Sequence, residues 1–145
     1  MGLVRQGSDG ALLAASLAFA GATGLGSAVA VREQLAGQPL GISVPLSVRA
    51  GLLAGWGAGV AAPWPMPVAA VIVAARARRG ASGALAGAVC AGVGLGCIAG
   101  TAIEPISWQP QFWTPWTTLA VGCNLAASAA LTVAGWRHLT AARAG

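Results

Sequence analysis

The charged residues of this chain are spaced so that four long stretches contain none. The uncharged stretches cover residues 10–31, 50–75, 80–103 and 117–136. A helix needs about 20 predominantly apolar residues to cross a hydrocarbon core roughly 30 Å thick. The pattern therefore predicts an all-α membrane protein with four transmembrane helices in a compact bundle. We expect residues 1–145 to form a single integral membrane domain, with outer loops at 32–49 and 104–116.

Prolines interrupt the second stretch at Pro63, Pro65 and Pro67. A proline inside a helix removes a backbone donor and clashes with the carbonyl group four residues earlier. Backbone groups freed in this way must find partners within the protein, because lipid offers none. We therefore expect the second helix to be broken at Pro63–Pro67 into two half-helices that together cross the bilayer. A re-entrant path, with both ends of the segment on one side, remains the alternative.

The composition agrees with a lipid environment. Hydrophobic residues make up 57% of the chain and charged residues only 8%, whereas a soluble domain carries about 25% charged residues. The eight basic residues are all arginine and lie at the ends of apolar segments, so the net charge of +5 is not a nucleic-acid signal. The expected partner is the lipid bilayer, and no nucleic acid is expected.

The arginines also predict an orientation. If all four segments cross, every arginine except Arg32 and Arg49 lies on the side of the two chain termini. Because cytoplasmic loops carry an excess of arginine and lysine, both termini are predicted to be cytoplasmic. The bias toward arginine, glycine and alanine favours a multi-pass protein of a bacterial inner membrane.

Glycines recur at every fourth position in the second and third stretches, as in a glycine zipper. They are Gly51, Gly55 and Gly59, then Gly83 and Gly87, then Gly92, Gly96 and Gly100. Residues four apart share a helix face, and small residues let helix backbones approach closely in lipid. We expect these grooves to pack the second helix against the third. They could also serve a homo-oligomer or a contact with another membrane protein.

Few residues could bind a metal or a redox cofactor. Cys90, Cys97 and Cys123 lie within apolar segments and form no CxxC motif. His138 is the single histidine of the sequence, and one imidazole does not make a metal or haem site. We therefore predict no metal and no cofactor. Asp9 is expected in water in the N-terminal tail, and His138 is interpreted as an anchor at the inner interface.

Glu104 opens the most distinctive polar segment, residues 104–116, which contains three tryptophans and three prolines. One interpretation is an interfacial belt, since tryptophan is enriched at the level of the lipid headgroups. The other is an aromatic cage with a carboxylate, which would hold a cation or shape an apolar pocket.

A count along the helices places polar and aromatic residues in one layer beneath Glu104. At 1.5 Å per residue, Thr23, Trp56, Cys97 and Asn124 lie about 9–12 Å below the outer ends of their segments. Polar side chains inside the membrane need partners. Asn124 is therefore expected to bond another helix, for example at Thr23, or to contact a ligand.

Three functions remain open from the sequence, which does not decide whether the chain is an enzyme. The first is a non-enzymatic oligomer or subunit of a membrane assembly, favoured because no acidic residue lies deep in the predicted membrane. The second is an isomerase-like or cyclase-like membrane enzyme, or a binder of a lipophilic small molecule. Its catalytic candidates are Glu104 and Glu33, and its ligand-binding candidates are Trp56, Trp64, Trp108, Trp113 and Asn124. The third is a small exporter of amphipathic cations that uses the same carboxylates.

Overall fold

The chain folds into helices joined by short irregular segments. The computed structural model describes residues 2–43, 45–54, 57–80 and 83–144, with side chains outside residues 2–6 and 54. Within these ranges the α-helices are α1 (Gly2–Glu33), α2 (Val48–Ala54), α3 (Pro65–Ala77), α4 (Gly83–Ile103) and α5 (Pro115–Arg143). Short 3₁₀ turns lie at Pro39–Gly41, Pro105–Ser107 and Pro110–Phe112. The all-helical prediction is confirmed for the described part of the chain.

Three of these helices are long and apolar enough to cross a membrane. They are α1 over Gly7–Glu33, α4 and α5, which correspond to the first, third and fourth uncharged stretches. The apolar helix α3 has only 13 residues. At 1.5 Å per residue it is about 20 Å long, which is short of a 30 Å hydrocarbon core. The second uncharged stretch is therefore not one long helix.

The bundle has two ends that can be named by their residues. At the Glu104 end, the backbone N–H of Gln38 donates to the Glu104 carboxylate. At the His138 end, the first residue of α4, Gly83, lies against the His138 ring. Since α4 has 21 residues, the two ends are about 30 Å apart. The connection from α1 to α4 thus runs from one end of the bundle to the other.

Side chains from all the helices fill two core clusters. α5 packs against both α4 and α1, and α3 packs against α1 and α4. Toward the His138 end, Leu12, Phe19 and Leu131 lie in the larger cluster. Toward the Glu104 end, Val60 and Ile106 belong to the second cluster. Residues from α2 and from 58–61 therefore fill the core where α3 does not reach.

Glycines bring α4 and α5 into backbone contact. A Cβ atom built on Gly87 would lie 2.6 Å from the backbone N of Leu139, and one on Gly135 would lie 2.5 Å from the backbone N of Ala91. Gly94 meets the backbone of Ser128 in the same way, at 2.6 Å. Only glycine permits this approach, which brings the two helix backbones into van der Waals contact.

The glycine zipper expected between the second and third segments is not supported. Gly59 lies outside any helix, and Gly55 lies outside the described residues. Cβ atoms on Gly92, Gly96 and Gly100 would meet nothing within 4 Å, so this face of α4 is open. The close contacts of α4 come from the neighbouring face, which carries Gly87 and Gly94.

The break in the second segment lies earlier in the sequence than expected. α2 ends at Ala54 and α3 begins at Pro65, so Pro63 precedes the helix while Pro65 and Pro67 form its first turn. The first turn of a helix has no intrahelical acceptors for its N–H groups, and proline is favoured there. Pro65 and Pro67 therefore start a helix instead of interrupting one.

The irregular residues between α2 and α3 satisfy their backbone groups locally. Ala58 and Ala61 exchange two hydrogen bonds of 3.0 Å, and the N–H of Trp64 donates to the carbonyl of Leu52 at 3.0 Å. Residues 58–63 are fully buried. Such a buried irregular segment is tolerated in a low-dielectric setting only with these internal partners.

Candidate functional site

A cavity of about 200 Å³ lies between α4, α5 and the irregular residues before α3. We call it the lateral cavity. Its lining residues are Pro39, Ala58, Gly59, Ala61, Ala62, Pro63, Met66, Gly96, Cys97, Gly100, Thr101, Ile103, Glu104 and Asn124. Most of these are small and apolar, whereas Thr101, Glu104 and Asn124 bring a hydroxyl, a carboxyl and an amide. An apolar cavity with a few convergent polar groups is the usual form of a small-molecule site.

The cavity opens on the side of the bundle. Gly96 and Ile103, two of its lining residues on α4, are exposed. Among the described residues, no atom outside α4 would lie within 4 Å of a Cβ on Gly96 or Gly100, so this stretch of the helix is open to the side. A molecule could therefore enter beside Gly96 and Gly100 without passing either end of the bundle.

Glu104 is buried immediately after the end of α4. The residue is only 8% exposed, and its Oε2 accepts a hydrogen bond of 2.9 Å from the backbone N–H of Gln38. Burial raises the pKa of the Glu104 carboxyl, because it removes water from the charged form. The hydrogen bond from Gln38 favours the carboxylate and offsets part of this rise. The protonated form is therefore more favoured at this site than in water.

Asn124 lies on α5 and lines the same cavity. It is 2% exposed, and its Nδ2 donates to Thr101 Oγ1 on α4 at 3.1 Å. The hydrogen-bond partner of Asn124 is thus Thr101 and not Thr23, the example suggested by the sequence. The amide oxygen Oδ1 of Asn124 is buried without a hydrogen-bond partner among the described residues. An unsatisfied buried acceptor costs about 1–3 kcal/mol, so this oxygen can gain from a donor that enters the cavity.

A second cavity reaches Glu104 from the end of the bundle. This end cavity has a volume of about 110 Å³ and is lined by Gln34, Leu35, Ala36, Gln38, Gly59, Glu104, Pro105, Ile106 and Phe112. Glu104 and Gly59 line both cavities. The Glu104 carboxyl therefore stands at the boundary between a side opening and an end opening.

Glu33, the second catalytic candidate, lies elsewhere. Its Oε1 is 3.6 Å from Nε of Arg32 in a largely exposed pair, and it lines neither of the two cavities that contain Glu104. The guanidinium of Arg32 also lies over the Trp116 ring, 5.8 Å from its centre. These residues form a cluster at the surface of the Glu104 end.

The described tryptophans do not build a cage around Glu104. Trp108 is 53% exposed and Trp113 is 57% exposed. Trp113 donates from Nε1 to the carbonyl of Ile106 at 3.0 Å and lines a separate groove together with Ile106 and Thr117. Trp64 packs against the core cluster at the Glu104 end. Trp56 lies outside the described residues. Among the described residues, the lining of the lateral cavity contains no aromatic ring, and Phe112 is the one aromatic residue in the lining of the end cavity.

Two parts of the site do not follow from the pattern of charges and prolines. Thr101 was overlooked because a threonine near the end of an apolar helix is common, and only its contact with Asn124 gives it a role. The wall made by residues 58–63 was assigned to a broken helix, so its contact with α4 could not be foreseen. The spacing of Thr101 and Glu104, three apart and thus on one helix face, was the available signal.

Asp9 and His138 form a buried pair at the other end of the bundle. Oδ1 of Asp9 lies 3.5 Å from Nδ1 of His138, and their side chains are 16% and 4% exposed. The expectation of a solvated Asp9 is wrong, because α1 begins at Gly2 and carries Asp9 into the bundle. The spacing of Asp9, Leu12 and Ser16 already placed this aspartate on the buried face of α1.

No protein-family model matches this chain, and no curated protein or solved structure matches it.

Proposed function

We propose that this chain is an integral membrane protein that binds a small membrane-soluble molecule in the lateral cavity. Three long apolar helices support the membrane setting. We further propose that α2, residues 57–64 and α3 together make a fourth crossing, with both termini in the cytoplasm. The concentration of arginines near the His138 end supports this orientation.

The observation that carries the binding proposal is that Glu104 and Asn124 line one otherwise apolar cavity. They come from separate parts of the chain, after α4 and within α5. Polar side chains of transmembrane segments are costly in lipid and mark functional sites. A cavity open beside Gly96 and Gly100 would admit a molecule directly from the hydrocarbon layer.

The volume limits the size of the bound group. A dry apolar cavity of about 150 Å³ accommodates benzene, so a cavity of about 200 Å³ would hold a compact group of roughly eight non-hydrogen atoms. A longer molecule would leave its chain in the opening beside Gly96. The ligand is therefore either small or bound by one end.

Binding is favoured over catalysis by the arrangement of the acidic residues. The second hypothesis assigned acid–base chemistry to Glu104 with Glu33 as its helper, and Glu33 is paired with Arg32 outside the cavity. A binding site needs only the carboxyl, the amide and the apolar walls. The expectation that the chain acts as an oligomer or as a subunit of a larger assembly stays a prediction.

A pair of glycine substitutions tests the proposal. Gly96→Leu places a side chain at the mouth of the lateral cavity, and Gly92→Leu places the same side chain one turn away on a face that is equally open. Both variants should fold, because neither Cβ meets another atom. We expect n-octanol to raise the thermal unfolding temperature of the wild type and of Gly92→Leu in lipid nanodiscs, but not that of Gly96→Leu. An equal effect of n-octanol on all three proteins would contradict the proposal.

A further inference from the structure

We infer that the ligand of the lateral cavity is an amphipathic amine, which binds as a cation to the Glu104 carboxylate in exchange for the proton of that carboxyl. This inference rests on the proposed function and names the chemical class that the site fits. It depends on the charges in the cavity walls, on the hydrogen-bonding groups left without partners, and on the position of Glu104 between two cavities.

The charge of the walls favours a cation. Among the residues that line the lateral and end cavities, Glu104 is the one charged group, and Cys97 is the other titratable side chain. The charged residues on the elements packed nearby are Arg32 and Glu33 of α1 and Arg49 of α2, which line neither cavity. An anionic ligand would find no cation to neutralise it and would be repelled by the carboxylate. An ammonium group would meet an opposite charge in a site of low dielectric.

The polar groups around the cavity favour a ligand that donates hydrogen bonds. Asn124 Oδ1 is an acceptor that no described residue satisfies, and the amide nitrogen of the same residue is already bonded to Thr101. An ionised carboxylate has acceptor sites for several donors, while Glu104 receives the N–H of Gln38 on one oxygen. A primary ammonium brings three donors and no acceptor. It therefore matches both Glu104 and Asn124 better than an alcohol, which brings one.

Proton exchange follows from the cost of burying charge. An empty site with a buried carboxylate would hold an uncompensated charge, so burial shifts the empty site toward the protonated acid. When the ammonium enters, the O–H bond of the Glu104 carboxyl breaks and its proton passes to water. The site then contains one cation and one carboxylate, so its net charge is zero before and after binding.

The two cavities give the exchanging species separate routes. The lateral cavity opens beside Gly96 on the apolar flank of α4, which suits the hydrocarbon part of the amine. The end cavity includes Gln34 and Gln38, whose amides provide a polar path for the proton. Because Glu104 lines both cavities, the ligand and the proton reach the same carboxyl from different sides.

Three probes with the same alkyl chain test the charge of the ligand. We would compare n-octylamine, n-octanol and octanoate on the protein in nanodiscs, with calorimetry and proton release in weak buffer between about pH 5 and 8, where an alkylamine stays protonated. The amine should bind at least about tenfold more tightly than the alcohol at the upper end of this range. Octanoate should bind most weakly, and amine binding should release close to one proton at low pH.

Glu104→Gln is the matching variant, because glutamine retains an oxygen for the Gln38 N–H but cannot ionise. In this variant the preference for amine over alcohol and the proton release should both disappear. Equal binding of amine and alcohol in the wild type, with both blocked by Gly96→Leu, would overturn the amine assignment and leave the proposed site in place. If Gly96→Leu left the binding of all three probes unchanged, both the amine assignment and the proposed site would be overturned.

Discussion

The backbone N–H of Gln38 donates to Oε2 of Glu104 at 2.9 Å, across 66 positions of the sequence. The bond ties the segment that follows α1 to the residue that follows α4, and it holds the buried carboxyl at the boundary of two cavities. A carboxyl that is desolvated but retains one donor can change its protonation state without losing its position. Its behaviour with pH is accordingly the first property to measure.

Glu104 should make the stability of the protein fall as pH rises. Burial raises the pKa of this carboxyl above its ordinary value of 4.5, so the folded protein holds the proton at pH values where the unfolded chain has released it. Between the ordinary and the raised pKa the folded state binds more protons, and the free energy of unfolding decreases with pH. Unfolding of wild type and Glu104→Gln across this window should show the slope in the wild type alone. If the free energies of unfolding of the two proteins changed with pH in parallel, burial would not favour the protonated form of Glu104.

The contact between Asn124 and Thr101 should be worth little to stability. Hydrogen bonds between membrane helices average about 0.6 kcal/mol in double-mutant cycles, and Asn124 retains one unpartnered oxygen. A cycle with Asn124→Leu and Thr101→Val should therefore give a coupling energy below about 1 kcal/mol. The same Asn124→Leu protein should lose most of its affinity for n-octylamine. A large loss of stability with unchanged binding would assign Asn124 to packing alone.

Close packing of α4 on α5 should depend on particular glycines. A methyl group on Gly87 would approach the Leu139 backbone to 2.6 Å, which forces the helices apart, and overpacking of this kind costs about 1–3 kcal/mol. Gly92→Ala is the control, because its methyl group meets nothing within 4 Å and the change gains up to about 1 kcal/mol of helix propensity. Unfolding in a graded detergent series would compare Gly87→Ala with Gly92→Ala. Equal stabilities would contradict the packing of these two helices.

The path of the chain can be tested at two exposed positions. Leu40 lies at the Glu104 end and Arg78 follows α3 near the His138 end, and both side chains are exposed. In a background where the three native cysteines are replaced, Leu40→Cys and Arg78→Cys should react with a membrane-impermeant thiol reagent from opposite sides of the bilayer. Labelling of both from the same side would rule out a crossing by α2, residues 57–64 and α3.

The sequence predicted the long helices because absence of charge over 20 or more residues is a strong physical constraint. It was less informative where a residue type has two uses. Proline breaks a helix at one position and starts one at another. Pro65 and Pro67 are therefore predicted to interrupt the second helix, whereas they lie in the first turn of α3. Glycine allows close contact or merely leaves space, and Gly87 and Gly92 differ only in what faces them.

The candidate site was predictable at the residues whose burial has a high energetic cost. Asn124 is predicted at the site because an amide within hydrocarbon needs a partner, and Glu104 because it is one of three acidic residues and opens the tryptophan-rich segment. The tryptophans were assigned to the site by their number, but aromatic rings also favour the interface, and Trp108 and Trp113 are exposed. The walls of the cavity come from residues 58–63, whose path depends on tertiary contacts that no local pattern encodes.

Photolabelling tests the central claim, that a membrane-soluble molecule binds in the lateral cavity, most directly. An octylamine analogue carrying a diazirine would be irradiated with the protein in nanodiscs, and the labelled peptides would be mapped by mass spectrometry. We expect label within residues 57–66 and 96–104 that excess n-octylamine removes and that Gly96→Leu prevents. Label spread over the exposed faces of α1, α4 and α5, unaffected by competitor, would contradict it.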